Sequence, residues 1–523
     1  MKELPLGIQT FAEVRDGYVY ADKTGYVQQL AEDGKYFFLS RPRRFGKSLF
    51  VDTLNEAWEG NRELFEGLAL AETDFSFEPH PVVRLDMSTV DISSPARLEE
   101  DLLSNLADRA AADGLVIEDK LVIGYFRSLI LGLSRKYSKR VVVLIDEYDK
   151  PIIEYINDKP RAEANRAVLR GLYGVLKGLD AHLKFVFLTG VSKFTRLSLF
   201  SVLNNLTDIT LVPDYANICG ITEPEFDDLF SEHLAAALAR GNSGEKSMAG
   251  LRQKVFDWYD GYSWDGKSSV FNPFSLLSFF QFGVFSPYWY SSGTPSFLMK
   301  TLKGRPRVFL DVQDEPISTL DLDSHEIEDA PPASLLFQTG FLTVKNVDYM
   351  MTPPVYQVGF PNLEVSTSFA KSFMLDGLGV PDADNRALKL VKSLMAGDAG
   401  ALEDALAGLF ASIPYNLHQG NEAYYHSLFL AFMQSIGLRV EGEAAVSGGE
   451  ADGMLDMPTG HSYVIELKYS KDDEADLDAL ATKALNQIKA KGYADRYKGT
   501  DRSVHLIGVA ASGKGNVKVV VGA

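Results

Sequence analysis

Residues 35–48, KYFFLSRPRRFGKS, carry the reading that decides the fold. Tyr36 to Leu39 form an unbroken apolar run, the pattern of a short buried strand. From Leu49 the stretch LFVDTLNEAW reads as a helix. Between them Gly46-Lys47-Ser48 stand where a strand–loop–helix turn would cradle phosphate. Glycine allows backbone N–H groups to approach phosphate oxygens, and the helix N-terminus adds its positive dipole end. Lys47 can reach terminal phosphates and the Ser48 hydroxyl can ligate Mg²⁺. Arg41 occupies the place of the first glycine in the usual pattern, and Gly-Lys-Ser alone also fits an ordinary basic turn.

The second stretch that bears on this turn lies downstream. Val141 to Ile145 is a continuous β-branched and aliphatic run, as expected of a strand covered on both faces of a parallel sheet, and it ends in Asp146-Glu147-Tyr148-Asp149. Carboxylates at the C-terminal edge of such a strand face the crevice where open α/β sheets bind ligands. Asp146 is expected to hold Mg²⁺ and Glu147 to polarise the attacking water, with Asp149 as the reserve candidate. The competing reading is a solvated acidic turn.

Further apolar strands, Pro81–Asp86 and Lys184–Gly190, alternate with helices expected near Ser94–Ala112, Leu121–Leu133 and Arg161–Leu179. Strands alternating with helices predict a parallel sheet and a doubly wound α/β domain. Thr189 ends the strand expected beside the acidic one and is placed to sense a γ-phosphate. Arg196, Asn204 and Asn205 follow it, each with an equally good reading as a turn or capping residue. In residues 12–34, Thr24 is expected to cap a helix containing Val27 and Leu30, and this segment is read as an adaptor helix in preference to a base contact.

The 523 residues suffice for two or three domains, and 46% hydrophobic with 24% charged residues is the composition of a soluble globular chain. A formal charge of -19 argues against nucleic acid binding by the surface as a whole, so any such contact needs a local basic channel. One cysteine, Cys219, excludes an intramolecular disulfide and a cysteine-rich metal site. The N-terminal MKELPLGIQT has no apolar signal core, and no apolar run approaches the ~18 residues of a membrane span. The expected location is the cytoplasm.

From Gly220 the texture changes. Thr222 and Glu225 form a capping box before a helix to Arg240. WYDGYSWDG (258–266), FNPFSLLSFF (271–280) and YWYSSGTPSF (288–297) are dense in aromatics. These could stack bases, but the packing face of a small helical module is the better reading. Thr339–Leu342 and Tyr356–Asn362 are expected to pair as strands, and Asp321–Asp329 to be a solvated loop.

The last region places a helix over about residues 388–412, then Glu422, Tyr425 and His426 at the start of another that Gly437 ends. A hairpin is expected from Asp452 through a turn at 458–460 to Lys468. It brings Asp452 near Glu466, with Glu466 and Lys468 on one strand face. Two carboxylates and a lysine can hold Mg²⁺ and orient water for attack on a phosphodiester, with Glu422 completing the metal shell and Lys468 positioning or deprotonating the water, or stabilising the charged transition state. A surface salt-bridge cluster would have the same spacing; the order of elements favours a nuclease-like site.

Taken together, the chain resembles a bacterial and archaeal family that joins an AAA-ATPase-like domain to a C-terminal PD-(D/E)XK nuclease-superfamily domain. The resemblance runs through YADKT (20–24), SRPRRFGKS (40–48), LIDEYDKPI (144–152), LTGVSKFTRLSLFSVLNNLTDI (188–209), FNPFSLL (271–277), LLFQTGFLT (335–343), FPNLEV (360–365), GGEADGML (448–455), IELK (465–468), and Gln487-Ile488 with Tyr493. RPRRFGKS is itself a mark of that family, so Arg41 is no objection to ATP. One departure is Glu450, which stands where the family often has arginine before its first metal-site aspartate.

The resemblance implies an α/β chain in three parts: a P-loop NTPase with a doubly wound parallel sheet (1–215), a mainly helical middle module for which a winged-helix-like form is one option (216–375), and an α/β restriction-endonuclease-like domain (376–523). Arg43, Arg44, Phe45, Gly46, Lys47, Ser48, Thr189 and Arg196 are then expected at ATP, and Ser48, Asp146, Glu422, Asp452 and Glu466 at Mg²⁺, or Mn²⁺ at the nuclease site. Glu147, Asp452, Glu466 and Lys468 are the expected catalytic set. The implied activity is an ATP-hydrolysing switch coupled to a nuclease, with nucleic acid as partner, no membrane, and an oligomer compatible with the sequence. The alternatives are a nucleotide-regulated protein whose nuclease fold binds without cutting, and a plain NTPase that uses the last domain as scaffold.

Overall fold

In the computed structural model the strand before the Gly46-Lys47-Ser48 turn forms as β1 (Tyr36–Ser40), with every residue buried. It joins β2 (Val82–Asp86), β3 (Val141–Asp146), β4 (Leu183–Gly190) and β5 (Thr207–Asp208) in one sheet of order β2-β3-β4-β1-β5, all pairs parallel. β3 is buried along its whole length, which explains its lack of polar alternation. Helices α1 (Gly25–Asp33), α2 (Lys47–Glu59), α3 (Pro95–Ala112), α4 (Val122–Tyr137) and α5 (Lys159–Gly178) accompany these strands. Phe38, Leu98, Leu129, Val143 and Leu172 belong to one core between strands and helices, each such side chain contributing about 1.5–3 kcal/mol. The expected strand and helix set is therefore present, with ends shifted by a few residues.

The structure describes residues 1–155, 158–193, 203, 205–291, 316–319, 322, 331–377, 382–412, 422–435, 437–438, 440–446, 449–457, 460–513 and 516–522, with the side chains of these except 376–377, 383–384, 399, 410, 423–424 and 441–450. Arg196, Asn204, the Glu450 side chain and nearly all of 321–329 thus lie outside the described residues. Two compact units are formed, one from Met1–Gly293 with Asp314–Asn362 and one that includes Leu363–Ala523. Among the described residues no helix is long and apolar enough to cross a membrane.

The aromatic region belongs to the first unit. Helices α6 (Glu223–Arg240), α7 (Met248–Tyr259) and α8 (Pro273–Phe282) surround a small pair β6 (Ile221–Thr222) and β7 (Val270–Phe271). The Thr222–Glu225 capping box is formed. Phe226, Phe230, Phe271, Phe279 and Phe280 pack together as a core. β8 (Pro316–Ser318), α9 (Pro332–Gln338), β9 (Thr343–Asp348) and β10 (Val355–Gly359) complete it, with sheet order β8-β10-β9.

Two expectations in this unit are corrected. Thr339–Leu342 is not a strand: Thr339 and Gly340 close α9, and the paired strand begins at Thr343, because Gly340 takes the left-handed backbone (φ 88°) that ends a helix. Thr24 does not cap α1; its hydroxyl donates to Asp22 Oδ1 (2.7 Å) and accepts from the Leu70 amide (3.1 Å), because the charged Asp22 is the stronger acceptor.

In the second unit α10 (Leu363–Ser372), α11 (Ala383–Ala396), α12 (Ala399–Phe410) and α13 (Glu422–Ser435) precede a sheet of order β11-β12-β13-β14-β15. The strands are β11 (Val440–Val446), β12 (Gly449–Asp456), β13 (His461–Ser470), β14 (Ser503–Ser512) and β15 (Val517–Gly522), with β13 and β14 parallel and the other pairs antiparallel. Helix α14 (Leu477–Lys491) connects β13 to β14, as a parallel pair requires. The single helix expected over 388–412 is two, broken where Gly397 turns left-handed (φ 63°) and Asp398 caps the next through its bond from the Ala401 amide.

Candidate nucleotide and metal sites

Between β1 and α2 the loop turns at Arg44 (φ 67°) and Gly46 (φ 88°), both left-handed. Arg43, Arg44, Phe45, Gly46, Lys47 and Ser48 all line one cavity of about 480 Å³. Lys47 is buried and its Nζ donates to the carbonyls of Arg41 and Pro42 (both 3.0 Å), which centres the ammonium within the loop. Glu147 enters the same cavity wall from the end of β3, on a left-handed backbone (φ 49°) that turns it away from the strand line. Non-glycine residues held there are uncommon and cluster at functional sites.

Asp146 is fully buried; its Oδ1 accepts from the Glu147 amide (2.9 Å), and its Oδ2 has no partner among the described residues. Burial raises its pKa, opposed by the Ser48 hydroxyl and the Lys47 charge. An orphaned carboxylate oxygen beside a hydroxyl is a donor set that fits Mg²⁺. Thr189 ends β4 next to Leu39 of β1, fully buried, and its hydroxyl also lacks a partner among the described residues. It is not among the residues that line the cavity.

Asp149 has a different task from the one held in reserve for it. It is 1% exposed and accepts from the amides of Val191 (3.3 Å) and Ser192 (2.8 Å) and from the Ser192 hydroxyl (2.9 Å). It holds the backbone of Val191 and Ser192 just past β4 and is not among the residues lining the cavity.

Arg41, which the sequence left without a role, also builds the site. Arg41 is 1% exposed, its guanidinium donating to the carbonyls of Ser40 (2.9 Å), Thr210 (3.0 Å) and Tyr215 (2.9 Å) and lying 3.9 Å from the Trp264 ring centre. Burial lowers its pKa to about 10. Phe45 anchors the loop edge-on between Tyr262 and Trp264. The apolar side of the cavity comes from Ile8, Val14, Val19, Ile221, Phe274 and Leu277, and Tyr20 and Lys23 line it too, so the segment read as an adaptor shares the site. Lys23 reaches Glu225 of the capping box at 2.7 Å. The sequence offered this only as the less-favoured base-contact reading and in the YADKT resemblance, since the contacts span some two hundred positions of chain.

In the second unit, β12 and β13 form the expected hairpin. Lys468 Nζ lies 2.8 Å from Glu466 Oε1 and 3.4 Å from Glu422 Oε1. Burial would lower the Lys468 pKa, but Glu466, Glu422 and Asp452 outweigh it and raise it. A lysine held charged in this way can stabilise negative charge and is a poor proton acceptor. Glu466 is 1% exposed, its pKa raised by burial against the pull of Lys468, and its Oε2 has no partner among the described residues. Gln487 of α14 donates to Oε1 of the same carboxylate.

Asp452 Oδ2 accepts from the Leu467 amide (2.7 Å), Glu422 Oε2 from the Tyr469 amide (3.2 Å), and the Asp452 carbonyl bonds His426. Among the described residues no three carboxylate, imidazole or thiolate groups assemble for a metal. Of the expected shell of Glu422, Asp452 and Glu466, the first two are held by backbone amides of β13, those of Tyr469 and Leu467. The buried free oxygen of Glu466, with Asp452 on the adjoining strand, still fits a divalent cation.

The family described as "Predicted AAA-ATPase" matches residues 5–200, and the "PD-(D/E)XK nuclease superfamily" matches residues 420–520. A protein of Azotobacter chroococcum mcd 1, "Uncharacterized protein in vnfD 5'region", is 39% identical over 521 residues, 98% of this chain and 96% of that one. A chain in the structure of Drosophila ORC bound to poly(dA/dT) DNA and Cdc6 aligns over 78% of this chain and 71% of its own, at 11% identity and a TM-score of 0.25. With both domains matched and a relative similar along almost the entire length, the chain belongs to the family that joins an AAA-ATPase-like domain to a PD-(D/E)XK nuclease-superfamily domain.

Proposed function

We propose that the protein is an ATP-binding, ATP-hydrolysing switch coupled to a divalent-metal-dependent nuclease that cuts phosphodiesters. The observation that carries the first half is the single cavity onto which Gly46, Lys47, Ser48 and Glu147 all open, with Arg43, Arg44 and Lys150 adding positive charge and an apolar side suited to a base. In this reading Lys47 and the loop amides bind the phosphates, Ser48 and Asp146 hold Mg²⁺, and Glu147 orients and polarises the attacking water. The bound cation would neutralise phosphate charge. Thr189, near the end of β4, is the proposed γ-phosphate sensor.

At the second site Asp452 and Glu466 would hold Mg²⁺ or Mn²⁺, which supplies Lewis-acid activation of water. The charged Lys468 stabilises the developing negative charge, and Gln487 holds Glu466 in orientation. A second reading, binding without cutting, is favoured by one contact: the Leu467 amide already occupies an oxygen of Asp452. Nucleic acid is the proposed partner, the cytoplasm the proposed location, and 1–215, 216–375 and 376–523 the proposed functional divisions.

The test is cleavage of DNA and RNA by the full chain with Mg²⁺ or Mn²⁺, with and without ATP. The nuclease reading expects metal-dependent cutting that Glu466→Ala removes; equal cutting by this variant, or none by wild type, leaves the binding-only reading.

A further inference from the structure

Every residue of the phosphate loop from 41 to 45 touches the aromatic part of the first unit. Trp264 covers Arg41, Trp289 Nε1 donates to the Arg43 carbonyl (3.1 Å), Phe274 lies 4.9 Å from the Arg44 guanidinium, and Tyr262 meets Phe45. The remaining residue, Pro42, meets Gly340 at the end of α9. A Cβ at Gly340 would lie 2.6 Å from Pro42, so only glycine allows this approach. Tyr262 fixes the same turn by donating to the Gly340 carbonyl (3.0 Å).

The other end of this turn holds the loop after β4. Gln338 is 5% exposed; its Oε1 accepts from the Lys193 amide (2.7 Å) and its Nε2 donates to the Leu322 carbonyl (2.8 Å). Asp149, beside Glu147 in sequence, takes the two preceding amides, Val191 and Ser192. Three consecutive amides just past Thr189 are thus fixed by two elements, the acidic strand end and α9.

We infer that the turn Gln338–Gly340 is a positioning element that sets the phosphate loop against residues 191–193 just past β4, so that nucleotide turnover depends on it. The inference rests on the nucleotide reading given above. Gln338 is a positioning residue: it touches neither the cavity nor the reacting groups, and acts through Lys193. A small displacement of a catalytic constellation lowers rate more than affinity. Because Trp264 lies against the Arg41 guanidinium and Trp289 bonds the Arg43 carbonyl, their emission is expected to respond to nucleotide in the loop.

The experiment uses the full chain as wild type, Gln338→Met (bulk kept, both bonds lost) and Gln338→Glu (the acceptor for Lys193 kept). Calorimetry gives ATP affinity, steady-state hydrolysis gives kcat, and tryptophan emission is read with and without saturating ATP. The expected result is a Gln338→Met affinity within about threefold of wild type with kcat down about tenfold or more, recovery of most of kcat in Gln338→Glu, and an ATP-dependent emission change in wild type. Equal turnover in wild type and Gln338→Met, equal loss in both variants, or wild-type emission indifferent to bound ATP overturns the inference. If Gln338→Met does not fold, the wild-type emission decides alone. Wild type that fails to bind ATP in calorimetry overturns the nucleotide reading itself, and this inference with it.

Discussion

Lys47 at the start of α2 and Glu147 just past β3 line one cavity, and their replacements should separate binding from turnover. Lys47→Ala deletes a charge-assisted contact worth ~1.5–3 kcal/mol, so ATP affinity should fall about 10- to 100-fold in calorimetry. Glu147→Gln keeps the shape and should bind ATP as wild type does while hydrolysis stalls; a wild-type rate would take the water-polarising role away from Glu147. Arg41 makes a different prediction. Its guanidinium serves the carbonyls of Ser40, Thr210 and Tyr215, so Arg41→Ala leaves buried acceptors unpaired. It should cost at least about 2 kcal/mol in urea unfolding. The sequence marked Arg41 as a lost glycine because its partners lie far along the chain.

At the scale of elements, the second unit depends on how closely α14 lies on β14. A Cβ at Gly508 would stand 2.2 Å from the Ala481 carbonyl and 2.7 Å from the Leu485 amide. Gly508→Ala should therefore push α14 outward, destabilise the unit by ~1–3 kcal/mol in denaturant titration, and loosen Gln487 from Glu466. The start of the same sheet carries a pH dependence. His461 Nδ1 and His505 Nε2 are 3.0 Å apart, and burial, then the neighbouring His461, lowers the His505 pKa. With the folded pKa the lower one, the unfolded chain takes up protons first as pH falls. The stability due to this group is full above the unfolded value of about 6.5 and lost below it. Thermal melts at falling pH should show that loss, and His505→Gln should flatten it.

For the whole molecule, the proposed pair of activities predicts an asymmetry between variants. Glu466→Ala or Lys468→Ala should abolish metal-dependent cleavage and leave ATP hydrolysis within a few-fold of wild type, whereas Lys47→Ala should change both. A coupling of about 1–3 kcal/mol corresponds to roughly 5- to 150-fold in cleavage. The variants need one substrate and one buffer, because nucleic acid contacts are salt-sensitive. Cleavage indifferent to Lys47→Ala would mean two independent activities.

By itself the sequence determined the parallel sheet, the phosphate turn, the acidic strand end and the C-terminal hairpin. Each is encoded by residues adjacent in the chain: the apolar run of Val141–Ile145, the glycine at 46, the alternation that puts Glu466 and Lys468 on one face. Only the tertiary structure decided which groups finish each site. It turned Asp149 onto Val191 and Ser192, gave Arg41 its carbonyls and Trp264, brought Gly340 against Pro42, and committed Asp452 to the Leu467 amide. The reason is physical: a buried polar group must find a partner, and which partner is near depends on where the chain returns in space, which local pattern does not specify.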